Sequence, residues 1–472
     1  MTDRRQTQVA IVGAGPAGVA AAVAIAAAGG RVTLVDEAHR PGGQIYRQPP
    51  RGFAVRESKI LESPNHARGH ELLTQLAELE VDVLTESVVW DATPGVLWLE
   101  RAGRPMRLDW QHLVVATGAH DRAVPFPGWT LPGVITAGGA QVLVRGALVT
   151  PGTRAVVAGT GPLLLPTITA LLAAGVEIVA ALEACSRSRA LRVLPAVLRS
   201  PTRRREAAFY ARQLLGRRVS LMTGSAVFAA HGDQRVQRVV YGRVDRQGRP
   251  RRETAREVAA DVLCVGFGLQ PQIEVAGRLG CDLHHVEARG GWIPRHDAAM
   301  RTSRDGVWVA GEAAGIGGVD CALAEGRLAG LGIAAALGLP DAGRDAAMTQ
   351  ARREQQRERR AADAMLRAFT VPPGLAELAA DDTVVCRCED VTLAQLRAGV
   401  AVHGAELRAA KMATRAGMGP CQGRVCGALV EDLLRHRLGA PAAPLRAPVV
   451  QAPIKPVALE TMAFRASSAD GA

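Results

Sequence analysis

Four of the eight cysteines fall in one short segment near the C-terminus. They form a CxC pair, Cys386 and Cys388, and a CxxxxC pair, Cys421 and Cys426, with 32 residues between the pairs. Four thiolates can hold a [2Fe–2S] cluster, two on each iron. A four-cysteine zinc site is the alternative, but zinc motifs favour CxxC pairs. We therefore predict an iron–sulfur cluster bound by these residues.

The residues around these cysteines suit a negatively charged cluster. The second pair lies in GMGPCQGRVCG, where glycines leave backbone N–H groups free to point at sulfur. Nearby cations that can balance the cluster's charge are Arg387, Lys411, Arg415 and Arg424. Because such a cluster carries one electron at a time, we expect the preceding chain to hold its redox partner.

The N-terminus carries a motif typical of a dinucleotide-binding fold. VAIVGAGPAG (9–18) joins a buried strand to a helix through GxGxxG, and the next strand ends at an acid. The first glycine permits the tight turn, the second lets the backbone approach a pyrophosphate, and the third allows close helix–strand contact. The helix N-terminus faces the phosphates, and the acid accepts bonds from ribose hydroxyls. The predicted contacts are Gly13, Gly15, Pro16, Ala17, Gly18, Asp36 and Glu37.

Three further stretches favour FAD over NAD at this site. A glycine pair follows the acid, HLVVATGAHDR (112–122) predicts a strand ending beside the cofactor, and RTSRDGVWVAGEAAGIGG (301–318) predicts a strand, a glycine-rich turn and then a helix. Amides at that helix start would stabilise the negative charge of a reduced flavin. The predicted contacts are Gly43, Gln44, Ala116, Thr117, Gly118, Gly311, Glu312, Cys321 and Ala322.

A second motif of the same kind lies in the middle of the chain. RAVVAGTGPLL (154–164) predicts a strand and a glycine turn, and the following strand ends near a second acid. The predicted contacts are Gly159, Thr160, Gly161 and Glu183. Leu164 replaces the third glycine and weakens the inference that NAD binds. Three uses stay open: an NAD(P)H site, a site for another adenine nucleotide, or a structural copy without ligand.

Several chemistries are disfavoured by what these folds lack. Neither has a CxxC or CxxxxC pair, which a disulfide reductase needs beside its flavin. The remaining cysteines, Cys185, Cys264, Cys281 and Cys321, are interpreted as small buried apolar residues. His120, Tyr46 and Gln44 are expected near the flavin as positioning groups, and no catalytic residue is assigned. A partner subunit is therefore expected to carry the substrate site.

Composition and length limit the remaining possibilities. At 472 residues with 48% apolar residues the chain should form several cores, here of α/β type. The net charge of +12 comes from scattered arginines with only 3% aromatic residues, which indicates a solvated surface and no nucleic-acid site. With no signal sequence or transmembrane segment, the chain is expected in the cytoplasm, attached to the inner membrane only through partners.

These landmarks predict the domain boundaries. The FAD domain is split between 1–150 and 266–340, and the second dinucleotide fold occupies 151–265. A charged, solvated helical linker (341–380) leads to the cluster domain (381–437). The Pro-rich tail, 438–472, should lie extended and pack on a partner subunit.

The motifs resemble known families. The N-terminal cradle, the ATG stretch and GVWVAGEAAG resemble the signatures of the two-dinucleotide-binding-domain flavoproteins, which usually have Asp at the position of Glu312. The segment 381–437 resembles the bacterioferritin-associated-ferredoxin-like [2Fe–2S] domain, a small helical module. GGQIYR (42–47), VPFPGWTLPGV (124–134) and the C-terminal QAPIKPVALETMA make nearly the whole chain similar to the large FAD-binding subunit of opine oxidase, hydrogen cyanide synthase and hydroxyproline or proline dehydrogenase complexes.

This resemblance implies an FAD- and [2Fe–2S]-containing subunit that relays electrons from C–N bond oxidation of an amino or imino acid. A smaller flavoprotein subunit would carry the substrate site, and the final acceptor would be other than NAD. Two alternatives stay open. One is a stand-alone NAD(P)H-dependent reductase that passes electrons through the cluster to a protein acceptor, and the other is a structural or regulatory nucleotide-binding subunit.

Overall fold

The computed structural model describes residues 3–49, 52–53, 60, 63–340, 343–439 and 446–469. Their strands are β1 (Asp3–Val12), β2 (Val32–Val35), β3 (Val81–Leu84), β4 (Ser87–Thr93), β5 (Val96–Arg101), β6 (Arg104–Val115), β7 (Ala119–Asp121), β8 (Val134–Thr136), β9 (Arg154–Gly159), β10 (Glu177–Glu183), β11 (Leu221–Thr223), β12 (Ser225–His231), β13 (Arg238–Arg243), β14 (Arg256–Ala259), β15 (Val262–Gly266), β16 (Leu269–Pro271), β17 (Leu283–Val286), β18 (Gly291–Pro294), β19 (Val307–Val309), β20 (Val384–Cys386) and β21 (Val391–Thr392). Their α-helices are α1 (Pro16–Ala27), α2 (His66–Ala77), α3 (Ala137–Gln141), α4 (Leu164–Ala173), α5 (Arg187–Leu191), α6 (Leu194–Arg199), α7 (Pro201–Gly216), α8 (Glu274–Arg278), α9 (Val319–Ala336), α10 (Arg344–Ala368), α11 (Leu393–His403), α12 (Leu407–Thr414), α13 (Gly427–His436) and α14 (Leu459–Ala469).

The first sheet places the carboxyl ends of its five parallel strands at one edge. β1 pairs in parallel with β2 and β6, β3 pairs with β2, and β19 pairs with β6. Residues 9–11 of β1 are fully buried, because a central parallel strand is covered on both faces. Gly13, Asp36, Ala116 and Gly311 follow β1, β2, β6 and β19, so the fold gathers the predicted FAD contacts at this edge.

Small residues allow two helices to pack closely over this sheet. A Cβ built on Gly18 of α1 would lie 1.8 Å from the carbonyl oxygen of Gly13. On α9, a Cβ at Gly326 would lie 2.1 Å from Ala17 O, and one at Gly330 2.7 Å from Ala21 O. The Ala- and Gly-rich sequence of α1 is therefore required by contacts on two sides, with the turn below it and with α9.

The second sheet repeats the arrangement of the first. Its parallel strands run in the order β11-β10-β9-β15-β8, and β12, β13 and β14 form an antiparallel sheet beside it. Leu164, at the position of the missing third glycine, is 1% exposed and packs towards Gly266 of β15. The predicted fold class is confirmed: an α/β flavoprotein with two dinucleotide-type folds and a small helical domain.

The linker helix α10 is not solvated on all sides. Ala351, Glu358, Arg359 and Ala362 are buried along the face that packs on α9. The Arg359 guanidinium forms an ion pair with the buried Glu325 and donates to the carbonyl oxygens of Gly315 and Ile316 at 2.9 and 2.8 Å. The expectation of a solvated linker is wrong for this face, because a charged side chain can be buried when a counter-ion and carbonyls satisfy it.

The cluster domain is a small helical unit that docks on the other two folds. Its core includes Leu429, Val430, Leu433 and Leu434 of α13. The Arg122 guanidinium, just after β7, pairs with Asp432 of α13 at 2.6 Å. Trp129 Nε1 donates to the carbonyl oxygen of Val384 at 2.7 Å, which ties the turn before β8 to β20.

The tail covers the first fold of its own chain. Residues 446–458 lack regular secondary structure, but Leu459–Ala469 forms α14, so the extended prediction is wrong there. The last proline is Pro456, and nothing in the sequence beyond it interrupts a helix. Ile454 is buried and donates its amide to Trp90 O at 2.8 Å, so the tail packs on the first fold of its own chain. Packing of the tail on a partner subunit stays a prediction.

Across the described ranges, which leave out several short stretches and both termini, no helix combines the length and the apolar character that crossing a bilayer requires.

Candidate cofactor sites

The first glycine turn has the geometry that an anionic dinucleotide needs. Gly13 has φ +107°, and a Cβ there would lie 2.2 Å from Ala116 O, so no side chain is possible. Gly15 precedes α1, whose N-terminus has no side-chain cap, and Pro16 takes the first helical position. Gly43 borders the space beside Gly15 and has no side chain to fill it. A Cβ built on Gly15 would lie 3.8 Å from the Cα of Gly43. The unsatisfied amides of α1 therefore face this turn, as pyrophosphate binding requires.

The two acids after β2 have different surroundings. Asp36 is half-buried, and its carboxylate accepts the amides of Ala14 and Ala38 at 2.5 and 2.7 Å. Burial raises the pKa of Asp36, although these amides oppose the rise. Glu37 is exposed and pairs with Lys455 from the tail. Sequence reasoning missed Lys455 at this end of the site, because nothing local links it to β2.

The turn after β6 is fixed to the chain that returns from the second fold. Thr117 Oγ1 donates to Gln272 O at 2.7 Å, and the Gln272 amide donates to Gly118 O at 2.9 Å. Gly118 has φ +77°, and a Cβ there would have no neighbour within 4 Å. Ala116 bonds through its amide to Val12 O at 2.9 Å. The turn is therefore rigid on one side and open on the other, which suits a residue bordering a flavin.

The turn before α9 is more closed than the sequence indicates. Glu312 accepts the amides of Gly317 and Gly318 at 3.2 and 2.9 Å, and burial raises its pKa. Cys321 is fully buried and donates its thiol to Glu325 at 3.3 Å, and burial raises its pKa well above the usual range. A thiol that stays protonated is inert, in agreement with its interpretation as a core residue.

Three further predicted contacts have defined neighbours. Ala17 and Ala322 both border Gly311. A Cβ built on Gly311 would lie 2.7 Å from the Cβ of Ala17 and 3.5 Å from that of Ala322. Gln44 accepts from the Arg47 guanidinium at 2.8 Å. The uncapped helix, the glycine turn and the open Gly118 thus fit an FAD molecule, whereas direct contacts from Glu312 or Cys321 stay predictions.

The four cysteines converge in the cluster domain. The thiol of Cys426 donates to Cys421, which also contacts Cys388, and Cys426 contacts Cys386. The bond from Cys426 lowers the pKa of Cys421 to about 4, with the amides of residues 423 and 425 also donating to its sulfur. The same bond raises the pKa of Cys426 well above its usual range, so in this state one sulfur of the pair is a thiolate and the other a thiol. This donor set fits a [2Fe–2S] cluster.

Glycines shape the loop that holds these sulfurs. A Cβ on Gly419 would lie 2.4 Å from the Cβ of Cys388, and Gly417 and Gly423 both have positive φ. Two of the predicted balancing cations contact other groups. Arg415 pairs with Glu389 at 2.8 Å, and the Arg387 guanidinium lies 5.7 Å from the centroid of the Trp129 ring. Backbone amides, more than these side chains, surround the sulfurs.

The cluster loop touches the first fold beside the Gly118 turn. His120 Nε2 donates to the carbonyl oxygen of Arg424 at 2.8 Å, and Arg424 lies between Cys421 and Cys426. The Arg424 guanidinium also pairs with Glu274 of α8 at 2.9 Å. The sequence placed His120 near the flavin but contained no signal for this contact, which joins residues 304 positions apart.

The second glycine turn is as tight as the first, and its acid is more deeply buried. A Cβ on Gly159 would lie 1.8 Å from Gly266 O, and Thr160 donates its amide to the same oxygen at 2.7 Å. Glu183 is 2% exposed, and its carboxylate accepts the amides of Gly161 and Cys185, both at 2.8 Å. Burial raises the pKa of Glu183. Its carboxylate is thus bonded to amides of its own chain, as that of Asp36 is, and a contact with a ribose stays a prediction.

We expect Glu431 of α13 to make the stability of the cluster domain depend on pH. It is buried beside Arg435, Asp432 and Arg122, and burial raises its pKa from 4.5 to about 7. The native protein then retains a proton that the unfolded chain releases, so the free energy of unfolding falls as the pH rises through that interval. We expect Glu431→Gln to raise the free energy of unfolding by about 2 kcal/mol at about pH 8, with little change at about pH 4.

This is measured by urea unfolding of the cluster domain across that pH range. The exposed Glu406→Gln, in the same domain, is the matched control and should leave the profile unchanged. An equal effect of Glu431→Gln at all pH values would contradict the assignment.

Comparison with known proteins identifies both parts of the chain. Residues 7–326 match the family model for pyridine nucleotide-disulphide oxidoreductases, and residues 384–436 match that for the BFD-like [2Fe-2S] binding domain. These matches support the predicted FAD and [2Fe–2S] cofactors. A nucleotide in the second fold is not tested by them.

Relatives align over almost the whole length. One subunit of the opine oxidase of Agrobacterium tumefaciens (strain Ach5) is 33% identical, over 96% of this chain and 90% of the relative. Hydrogen cyanide synthase subunit HcnB of Pseudomonas aeruginosa is 35% identical, over 91% of this chain and 93% of the relative. The crystal structure of L-proline dehydrogenase from P. horikoshii has the same fold, with a TM-score of 0.71 and 21% identity over 98% of this chain and 80% of that one.

The two family matches and the full-length relatives agree with the two glycine turns and the four converging cysteines. This chain is an FAD-dependent oxidoreductase of the pyridine nucleotide-disulphide oxidoreductase family, with a C-terminal BFD-like [2Fe–2S] domain, and it belongs to the same family as HcnB and the matching opine oxidase subunit.

Proposed function

We propose that this chain is the electron-transferring large subunit of a heteromeric amino-acid or imino-acid dehydrogenase. The C–N bond of the substrate is oxidised on a smaller partner flavoprotein, and this chain passes the electrons to an acceptor other than NAD(P). When bound, FAD exchanges two electrons and a [2Fe–2S] cluster exchanges one at a time. Opine, hydroxyproline, proline or glycine-type substrates suit this class.

The observation that carries the proposal is the contact between His120 and the loop of Cys421 and Cys426. His120 lies two residues after Gly118, whose open side borders the proposed flavin position. Its bond of 2.8 Å to Arg424 O holds the cluster loop against this turn. The two proposed cofactor sites are thus adjacent, as an electron relay within one chain requires.

The contacts around this junction keep it rigid. Arg424 is also tied by Glu274 and by the carbonyl oxygen of Ile454 in the tail. Arg122, at the end of the same short strand as His120, holds α13 through Asp432. Three separate segments therefore fix the loop and the helix that follows it, which keeps the distance between the two sites constant during turnover.

The names of the relatives support a multi-subunit assembly. HcnB and the opine oxidase relative are both named as subunits, and they cover this chain almost completely. We therefore infer that this chain also has partner subunits. We place the complex in the cytoplasm, where four thiols stay reduced and available to iron; recovery of the chain from a periplasmic fraction would contradict this location.

The proposal is tested by purifying the tagged chain with its native partners under anaerobic conditions. Amino acids, imino acids and opines are then screened with an artificial electron acceptor. We expect substrate-dependent reduction of the flavin and the cluster in the complex, and none in the isolated chain. Prompt bleaching of the flavin by NADH in the isolated chain would instead support a stand-alone NAD(P)H reductase and overturn the proposal.

A further inference from the structure

We propose that the second dinucleotide fold binds the chain's own linker in place of a nucleotide. The linker segment is defined as Arg367–Thr370, at the C-terminal end of α10. It lies over the turn Gly159–Gly161, where folds of this kind receive a pyrophosphate. The assignment goes beyond the electron relay and does not depend on it.

Phe369 occupies the space beside Gly161. A Cβ built on Gly161 would lie 3.5 Å from the Cβ of Phe369 and 3.8 Å from its Cγ. Gly161 is the second glycine of the motif, whose missing side chain lets a pyrophosphate approach the backbone. At the equivalent Gly15 the neighbour is Gly43, which has no side chain. Phe369 therefore fills in the second fold the space that the first fold leaves open.

Hydrogen bonds from the second fold hold the linker segment in this position. Thr160 Oγ1 donates to Phe369 O at 3.4 Å, and the guanidinium of Arg189 donates to Arg367 O at 3.3 Å. The Cys185 thiol lies 3.8 Å from the next carbonyl, that of residue 370. The last carbonyl oxygens of a helix have no hydrogen-bond donors within the helix. Here donors of the second fold bond to the carbonyl oxygens at the end of α10.

The charge at the end of α10 also disfavours a phosphate at this turn. A helix C-terminus carries partial negative charge, and the end of α10 directs its carbonyls at this turn. The amide of Gly161 is already donated to the buried Glu183 at 2.8 Å. A phosphate placed here would meet carbonyl oxygens and a carboxylate where it needs N–H donors.

The chain beyond the linker segment stays in contact with the second fold before it enters the cluster domain. The Gly374 amide donates to Gln247 O at 2.8 Å, and Arg249 pairs with Glu377 at 3.2 Å. A nucleotide could enter only by displacing the segment that leads to the cluster. The second fold thus serves as the seat of the linker, and NAD(P)H is excluded as an electron donor at this position.

The test uses the full chain with both cofactors bound and follows amide hydrogen exchange. We expect about 1 mM NADH or ADP-ribose to leave the exchange of residues 159–163 unchanged. We expect Phe369→Ala to speed exchange across 367–374 at least about tenfold, because the segment loses its main side-chain contact with the turn. The exposed Phe53→Ala is the matched control and should change neither region.

Two results would overturn the assignment. One is protection of residues 159–163 by NADH or ADP-ribose in the wild-type chain, which does not depend on any variant folding. The other is unchanged exchange across 367–374 in a Phe369→Ala chain whose flavin and cluster spectra are intact. Neither measurement uses an amine substrate, so its outcome is independent of the proposed dehydrogenase activity.

Discussion

Replacement of Cys421 by serine is expected to abolish the cluster while leaving FAD bound. Cys421 is the sulfur on which the loop converges: it receives the Cys426 thiol and two backbone amides, and its pKa is lowered to about 4. A serine hydroxyl does not ionise in this pH range and is a poor ligand for iron, so one of the four cluster bonds is lost. Iron content should fall from about two per chain to nearly none.

The measurement combines iron and acid-labile sulfide analysis with the visible and electron paramagnetic resonance spectra of the reduced protein. Cys281→Ser is the matched control, because that isolated cysteine lies in the first fold, bonds to Thr302 and should tolerate a hydroxyl. Full iron content in Cys421→Ser, or zinc in the wild-type chain, would show that the four cysteines do not bind a [2Fe–2S] cluster.

Gly18→Ala is expected to remove FAD from the first fold. Its Cβ would lie 1.8 Å from the carbonyl oxygen of Gly13 and 3.3 Å from a methyl of Ile11. The first of these neighbours is backbone and cannot turn aside, so α1 must move away from β1 and the glycine turn must open. We expect FAD affinity to fall at least about 100-fold, equivalent to about 2.7 kcal/mol, with a loss of stability of similar size.

Affinity is measured by titrating the deflavinated chain with FAD and following flavin fluorescence. Gly216→Ala provides the matched control, since that glycine also lies in a helix, lacks a positive φ and has open space around its Cβ position. The control should bind FAD as the wild type does. Unchanged FAD binding in Gly18→Ala would mean that the first turn does not hold the cofactor.

The local motifs were readable because their chemistry is local. A glycine turn between a buried strand and a helix requires residues a few positions apart, and cysteine pairs are likewise close in sequence. This is why the first fold and the fold class were predicted from the sequence. The position of α14 was not, because the expectation extended the effect of the prolines past Pro456, the last of them.

Burial of charge was the property that the sequence could not show. Arg359 lies in a run of charged residues that is typical of a solvated helix, yet it is 6% exposed and paired with Glu325. Glu183 was predicted to meet a ribose, but it is buried against the amides of its own turn. For Arg359 the partner lies on another helix, and for Glu183 one of the two partners lies on the glycine turn before it, so the residue type alone does not reveal either contact.

The sequence by itself determined the two glycine turns, the four sulfurs and the chemistry that each can support, because these depend on residue type and short spacing. Only the tertiary structure decided that His120 meets the cluster loop, that Phe369 covers the second turn and that the tail returns to the first fold. Those contacts join residues hundreds of positions apart, and they form only when separate elements pack, so no local pattern encodes them.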